Sequence, residues 1–199
     1  MHETKLNITA HTGPTSLAAS ALSDVKAHAR IDSTYEDDLL EEYIAAAIEM
    51  IESFCRLTIQ ETVWELHLSS FPTAYRYLEL PRGPVSSVEF LKYYDLDGVH
   101  IEWSSADYYL ALGEIPARIY LHGDDNWEET QERPDAVAIR YTSGYNTWND
   151  VPNRVKQPIY FLSSHYHRHR EAVADKSVSE LPFTLRASLM SIRQDFYTG

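Results

Sequence analysis

The strongest constraint on the fold is one long apolar repeat in residues 33–55, whose members recur every three or four residues. The repeat consists of Leu40, Tyr43, Ile44, Ala47, Ile48, Ile51, Phe54 and Cys55. This spacing predicts a helix with one buried face. Ser33, followed three residues later by Glu36, has the form of a capping box and predicts that the helix begins there. Because one helix cannot bury its own apolar face, other parts of the chain must cover it.

Three further helices are predicted, one before the long helix and two near the end of the chain. Their apolar stripes are Leu22, Val25, Ala29 and Ile31 in the first, Val155, Ile159, Leu162 and Tyr166 in the second, and Leu185, Leu189, Ile192 and Phe196 in the last. Residues 1–19 open with a polar, aperiodic stretch that contains Gly13-Pro14. We expect residues 1–19 to form a flexible arm.

The apolar period changes from 3.6 to 2 at Glu61. Residues 62–68 (TVWELHL) alternate polar and apolar side chains, as a half-buried strand does. Asp97-Gly98 predicts a hairpin turn, and about six or seven short strands are expected before residue 149. Within the long acidic loop of residues 124–135, Trp127 is either a packing anchor, which is the default interpretation, or an exposed contact.

These patterns predict an α+β fold. Its core is a four-helix bundle-like arrangement of two N-terminal and two C-terminal helices, with a small antiparallel β domain inserted between them. Residues 20–60 and 150–199 form the helical core, and residues 61–149 form the inserted β domain.

The net charge of −13 disfavours a protein that grips nucleic acid or an anionic membrane. The charge is uneven, since residues 150–199 carry seven basic and five acidic residues. The lone cysteine, Cys55, lies on the apolar row of the long helix, so no intrachain disulfide and no reactive thiol are expected. We also expect no signal peptide and no membrane span.

A metal site is the main catalytic alternative that the sequence offers. His165 and His169 are four residues apart on a predicted helix and share a face, which suits chelation. The metalloprotease pattern requires a glutamate directly after the first histidine, but Tyr166 stands there, and neighbouring arginines oppose a divalent cation. We therefore favour a polar, partly basic helix face and expect no metal, no cofactor and no catalytic residue.

Fourteen tyrosines, including the doublets Tyr93-Tyr94 and Tyr108-Tyr109, suggest a further role for the β region. In a strand, one member of each doublet faces outward. Tyrosine is enriched at protein interfaces, but it also packs across strands on a solvated sheet face. The sequence leaves both interpretations open.

The order of these features resembles one known family. Residues 23–47 (SDVKAHARIDSTYEDDLLEEYIAAA) resemble the opening of head–tail connector, or adaptor, proteins of long-tailed bacteriophages and gene transfer agents. Residues 62–68, residues 80–88 (LPRGPVSSV) and residues 139–145 (IRYTSGY) are similar to the branch of that family with a β insertion. The similarity extends over about residues 20–196.

The resemblance implies a structural virion protein at the head–tail interface, made in the bacterial cytoplasm. Such proteins form a twelve-subunit ring beneath the portal protein, around the channel for DNA, and bind a stopper or tail-completion protein on the far side. By analogy, we predict portal contact for Arg193, Phe196 and Tyr197. Arg168 and Arg170 are weaker candidates for a subunit or portal contact. DNA is cargo in this scheme.

Three rival functions stay open at this point. The chain could be another neck or tail-completion protein. It could be a metal hydrolase that uses His165 and His169. It could also be a carbohydrate- or protein-binding β module whose site contains Trp127 and the tyrosines.

Overall fold

A computed structural model describes residues 5–11, 15–73, 75–123, 126–169 and 183–194. These residues form four helices and antiparallel β-sheets, which confirms the predicted α+β class. The chain divides into two compact units. The β unit comprises Met1–His11, Glu61–Gly144 and Gln194–Gly199, and the helical unit comprises Thr12–Gln60 and Tyr145–Arg193.

The helical unit contains α1 (Thr15–Ala29), α2 (Asp37–Cys55), α3 (Asn153–Arg168) and α4 (Phe183–Ile192), with a short 3₁₀ turn at Trp148–Asp150. Each helix contributes apolar side chains to one core. The core includes Leu17, Val25, Leu40, Ile44, Ile51, Val155, Ile159, Leu162, Leu185, Leu189 and Ile192. The predicted stripes of α2, α3 and α4 therefore lie where expected, except that Phe196 is outside the described residues.

The N-cap of the long helix is Glu36, three residues after the Ser33 that the capping box predicted. Ser33 Oγ accepts a hydrogen bond from the backbone N–H of Tyr35 (3.1 Å), and the carbonyl of Glu36 accepts the first helical bond from Leu40 (2.9 Å). The Glu36 carboxylate lies 3.1 Å from Nε2 of His167. Because that contact spans 131 positions, local spacing could not reveal it.

One carboxylate joins three parts of the helical unit. Oδ2 of Asp24 accepts hydrogen bonds from the indole Nε1 of Trp148 (2.8 Å) and from the hydroxyl of Tyr160 (3.1 Å). Burial raises the pKa of Tyr160, and the hydrogen bond with Asp24 raises it further, to about 12. The phenol thus stays protonated and remains a donor throughout the physiological range.

The β unit contains eight strands in two antiparallel sheets. The five-stranded sheet has the order β1–β2–β8–β4–β5, and the three-stranded sheet has the order β3–β7–β6. The strands are β1 (Lys5–His11), β2 (Thr62–Leu68), β3 (Tyr77–Leu80), β4 (Val85–Tyr94), β5 (His100–Glu102), β6 (Tyr108–Ala111), β7 (Ala117–Leu121) and β8 (Val137–Ser143).

Strand β8 is the centre of the larger sheet. Its alternate residues are buried, and in register with β2 it places Tyr141 opposite Trp64. Tyr141 is fully buried and donates its hydroxyl proton to the carbonyl of Pro81 (2.9 Å). Burial raises the pKa of this phenol well above its usual range, so the donor stays neutral.

Residues 5–11 and 15–19 correct the predicted arm. Residues 5–11 form β1, which pairs antiparallel with β2 from Lys5 opposite His67 to His11 opposite Thr62, and α1 already begins at Thr15. A seven-residue strand with few strong β-formers has little signal of its own, because the pairing with β2 supplies its order.

Trp127 packs as the default interpretation predicted. Its ring stacks on Phe71 with centroids 4.7 Å apart and meets the ring of Trp103 edge-on at 5.2 Å. These contacts anchor the loop that precedes β8.

Deleting the acceptor at Asp24 tests the helical network. We expect Asp24→Ala to lower the free energy of unfolding by about 1–3 kcal/mol, because the indole N–H of Trp148 loses its partner. Urea unfolding followed by circular dichroism measures the change. Asp32→Ala, at an exposed carboxylate, is the matched control and should shift the result by about 0.5 kcal/mol or less. Equal effects of the two variants would contradict the assignment.

Cys55 permits a test of burial at a unique chemical probe. The thiol is buried and donates to the carbonyl of Leu189 (3.4 Å), and burial raises its pKa to about 11. Because an unfolded thiol ionises near about 8.5, we expect a thiol reagent at pH 8 to react about a hundredfold slower with the native protein than with the urea-unfolded protein. By the same linkage, the Cys55 contribution to stability falls as the pH rises from about 8.5 to 11. A native rate equal to the unfolded rate would show that the thiol is accessible.

Candidate interaction surfaces

The outer face of the three-stranded sheet carries a continuous row of aromatic rings. Strand alternation produces the row: Leu78 and Ile119 point into the core, so Tyr77 on β3 and Tyr120 on β7 point the other way. On β6, Tyr108 is buried and Tyr109 is exposed, as expected for a tyrosine doublet.

The rings of this row contact one another from edge to edge of the sheet. Tyr75 lies 5.2 Å from Tyr77, Tyr77 lies 5.5 Å from Tyr120, and Tyr120 stacks on Tyr109 at 5.1 Å with an angle of 7° between the planes. His122 continues the row 5.5 Å beyond Tyr109. We call these five residues the tyrosine strip. Cross-strand packing, one of the two open interpretations, is therefore present.

Arg118 fixes the middle of the tyrosine strip. Its guanidinium lies 4.6 Å from the ring centre of Tyr77 and donates to Oε1 of Glu79 (3.0 Å), to Glu114 (3.1 Å) and to the hydroxyl of Tyr120 (3.4 Å). The hydrogen bond with Tyr120 and then that with Glu79 raise the pKa of Arg118. A rigid, partly exposed aromatic row of this kind has little entropy to lose when a partner covers it.

The helical unit exposes a few isolated large apolar side chains. Phe161 on α3 is 53% exposed and meets the ring of His28 edge-on at 5.3 Å. Tyr35, directly before α2, is 93% exposed, and Met190 on α4 is 47% exposed. Each lies on an outward position of a helix or turn whose opposite side is in the core.

The predicted portal-contact residues are only partly described. Arg193 is half-buried, and its guanidinium lies 5.8 Å from the ring centre of Phe54. Phe196 and Tyr197 lie outside the described residues. Arg168 is exposed at the last position of α3, whereas Arg170 is outside the described residues.

The histidines of α3 separate into two environments. The rings of His165 and His169 lie side by side with centroids 4.7 Å apart, on exposed positions. His167 faces elsewhere, toward Glu36. Within the described residues, no group of three histidine, cysteine, aspartate or glutamate side chains is placed to hold a metal ion. The i, i+4 pair therefore lacks a third protein ligand among them.

Sequence reasoning missed the tyrosine strip as a unit. The alternation of β3 and β7 indicated which tyrosines face outward, but the neighbour relations between β3, β7 and β6 are needed to bring Tyr75 and His122 into one row.

Across the described residues, no helix is long and apolar enough to cross a membrane.

Residues 19–108 match the family model described as "Phage gp6-like head-tail connector protein". No curated protein sequence is significantly similar to the chain.

Solved structures similar to this fold come from gene transfer agent particles. A chain of the "Virion of native gene transfer agent (GTA) particle" aligns with a TM-score of 0.73 and 22% identity over 98% of this chain and 97% of the other. A chain of the "Neck of empty GTA particle computed with C6 symmetry" gives 0.69, again with 22% identity over 98% of both. The "Neck of native GTA particle computed with C12 symmetry" gives 0.68 with the same identity and coverage.

Replacing Arg118 tests how the tyrosine strip is held. The Glu79 side chain is only 9% exposed, so removing its cationic partner leaves a nearly buried carboxylate without compensation. We expect Arg118→Ala to lower the free energy of unfolding by about 2 kcal/mol after allowing for the partial exposure of the guanidinium. Urea unfolding followed by fluorescence measures the loss.

Two further variants make this test specific. Adding Glu79→Gln to Arg118→Ala should recover part of the loss, because a neutral amide costs less to bury than a carboxylate. Arg186→Ala removes an exposed arginine of α4 and should change stability by about 0.5 kcal/mol or less. If the double variant is no more stable than Arg118→Ala alone, the ion pair is not what holds the strip.

Proposed function

We propose that the chain belongs to the phage gp6-like head–tail connector family, whose model its residues 19–108 match, and that it is a structural adaptor of the virion neck. In this proposal twelve copies form a ring that docks on the portal protein and connects the capsid to the tail. The observation that carries the proposal is the family match combined with a fold that aligns over 98% of its length with chains of gene transfer agent particles. The protein acts without catalysis, metal or cofactor.

The arrangement of the chain supports an adaptor role. In the proposed ring, a bundle-like core of α1–α4 forms the wall, and residues 61–144 are an insertion that projects loops toward the next neck component. The C12 symmetry of one similar neck structure motivates the twelve-subunit stoichiometry. The stopper or tail-completion protein is the proposed partner on the far side.

The charge of the chain suits a channel through which DNA passes. With a net charge of −13, the protein repels phosphate groups more than it attracts them. Strong DNA binding requires the opposite arrangement, because affinity for duplex DNA comes from cationic side chains that neutralise phosphates. DNA is therefore proposed as a cargo that slides past the ring.

The C-terminal segment is the proposed portal-docking element. α4 is held to the helical core by the buried side chains of Leu185, Leu189 and Ile192. Arg193 follows directly after α4 and precedes Phe196 and Tyr197 in the sequence. In the proposal, Arg193, Phe196 and Tyr197 contact the portal, and Arg168 with Arg170 contributes a secondary subunit or portal contact.

Truncation separates docking from folding. We expect removal of residues 195–199 to abolish co-sedimentation with the portal ring encoded beside this gene, while the melting temperature stays within about 2 °C, because the buried residues of α4 are retained. The full chain should add one copy per portal subunit, as measured by the mass of the complex. Gln157→Ala, an exposed change on α3, is the control and should bind as the full chain does.

The outcomes discriminate between the functions considered. Normal portal binding by the truncated chain would remove the C-terminal docking element but keep the adaptor role. No binding by the full chain, together with binding to another neck protein, would favour a different neck or tail-completion component.

A further inference from the structure

An open cleft with aromatic residues in its lining lies beside Trp127 in the β unit. The cleft has a volume of about 640 Å³, and Trp103 and Trp127 line it together with Tyr93. A second cavity of about 480 Å³ is lined by Phe71 and by the other side of the same loop, so Trp127 borders both. The larger cavity is big enough for a long side chain with its flanking backbone.

The rings that line the cleft hold one another in place. Phe71 stacks against Trp127, and it meets both Tyr93 (5.6 Å) and Trp103 (5.3 Å) edge-on. The indole Nε1 of Trp127 is buried and has no hydrogen-bond acceptor among the described residues. A buried indole N–H usually has a partner, so this unpaired donor marks a polar position in an otherwise aromatic cluster.

The rim of the cleft is acidic. Glu102, Asp107 and Glu128 line the larger cavity, and no lysine or arginine among the described residues does. Lys92 compensates one of them, because its Nζ lies 3.3 Å from the Glu102 carboxylate. Burial is the main cause that raises the pKa of Tyr93 in this cleft, and the negative charges of Glu128 and Asp95 add to it. An aromatic floor below carboxylates is the environment that favours a cation.

A sheet edge borders the same cleft. Ile101 and Glu102 of β5 line the cavity, and β5 is the last strand of the five-stranded sheet. Within the part of the chain that the structure describes, β5 pairs only with β4. Its other side can therefore accept an extended peptide as an additional strand.

We propose that this cleft binds an arginine side chain of an extended segment in a partner protein. The guanidinium lies against the rings of Trp103 and Trp127 and faces Glu128 and Asp107, while the backbone of the segment runs along the free edge of β5. Arginine fits better than lysine because a planar guanidinium stacks on aromatic rings and donates to carboxylates at the same time. The net charge of −13 argues against a nucleic acid as the occupant. This inference does not depend on the adaptor role.

A short peptide is the probe for the test. We would titrate the full-length, ¹⁵N-labelled protein with acetyl-Gly-Val-Arg-Val-Gly-amide and with the same peptide containing citrulline, which has the shape of arginine without its charge. The chain has four tryptophans, and each gives one indole N–H signal. Trp148, whose indole donates to Asp24 in the helical unit, is an internal reference.

The arginine peptide should shift the indole signals of Trp127 and Trp103 and leave that of Trp148 in place. We expect the citrulline peptide to bind about tenfold more weakly, which is the usual size of a partly desolvated cation–π and carboxylate contribution. Glu128→Gln should weaken binding of the arginine peptide about threefold to fivefold. Glu132→Gln, at an exposed carboxylate outside the cleft, is the matched control and should have no effect.

Trp127→Phe tests the aromatic contact separately. Phenylalanine retains a ring that can stack on Phe71 but is a smaller and weaker cation–π partner than an indole, so binding should weaken while the unfolding midpoint changes little. Equal affinity for the two peptides would overturn recognition by charge. An absence of shifts at Trp127 and Trp103 at millimolar peptide, or tighter binding of a neutral oligosaccharide than of the arginine peptide, would overturn the proposal as a whole. None of these results depends on whether the chain binds a portal.

Discussion

The pairing of β2 with β8 is the contact on which the rest of the structure depends. It joins Thr62 to Ser143 and runs in unbroken register to Leu68 and Val137. Just outside this ladder, the backbone N–H of Tyr145 donates to the carbonyl of Ile59 (2.9 Å). The chain therefore leaves the helical unit and returns to it at neighbouring positions. A long β segment can then be accommodated without separating α2 from α3, because its two ends meet.

Local patterns predicted the elements well, and long-range contacts explain the exceptions. The period of 3.6 identified α2, α3 and α4, and the period of 2 identified β2. An element with one buried face repeats its apolar residues at the period of its own backbone. The capping box at Ser33 failed: Ser33 Oγ accepts from Tyr35 instead of capping the helix, and the Glu36 carboxylate lies beside His167, 131 positions away. Strand β1 was missed because its order comes from β2, which lies more than fifty residues away. Both errors involve contacts between residues that are far apart in the sequence.

The candidate surfaces depend on contacts between distant parts of the sequence even more than the helices and strands do. Alternation within β7 shows that Arg118 and Tyr120 share a face, but only the order β3–β7–β6 places Glu79 and Tyr109 beside them. Trp127 was recognisable as a packing residue, whereas the cleft beside it requires the approach of β5 and its neighbouring loops. The sequence thus indicates which residues face outward and which pack inside, but the surfaces that these residues form depend on the order of the strands.

The charge of the β unit links its structure to both proposed interactions. Four of its cations form ion pairs: Arg118 with Glu79, Arg140 with Glu65, Arg133 with Asp135, and Lys92 with Glu102. Because acidic residues outnumber basic residues, carboxylates remain after these pairs form, and they determine the field that a partner meets. Such a surface repels a passing DNA phosphate and attracts an arginine. One excess of charge therefore suits both the proposed channel, which must not bind its cargo, and the proposed cleft, which selects a basic protein segment.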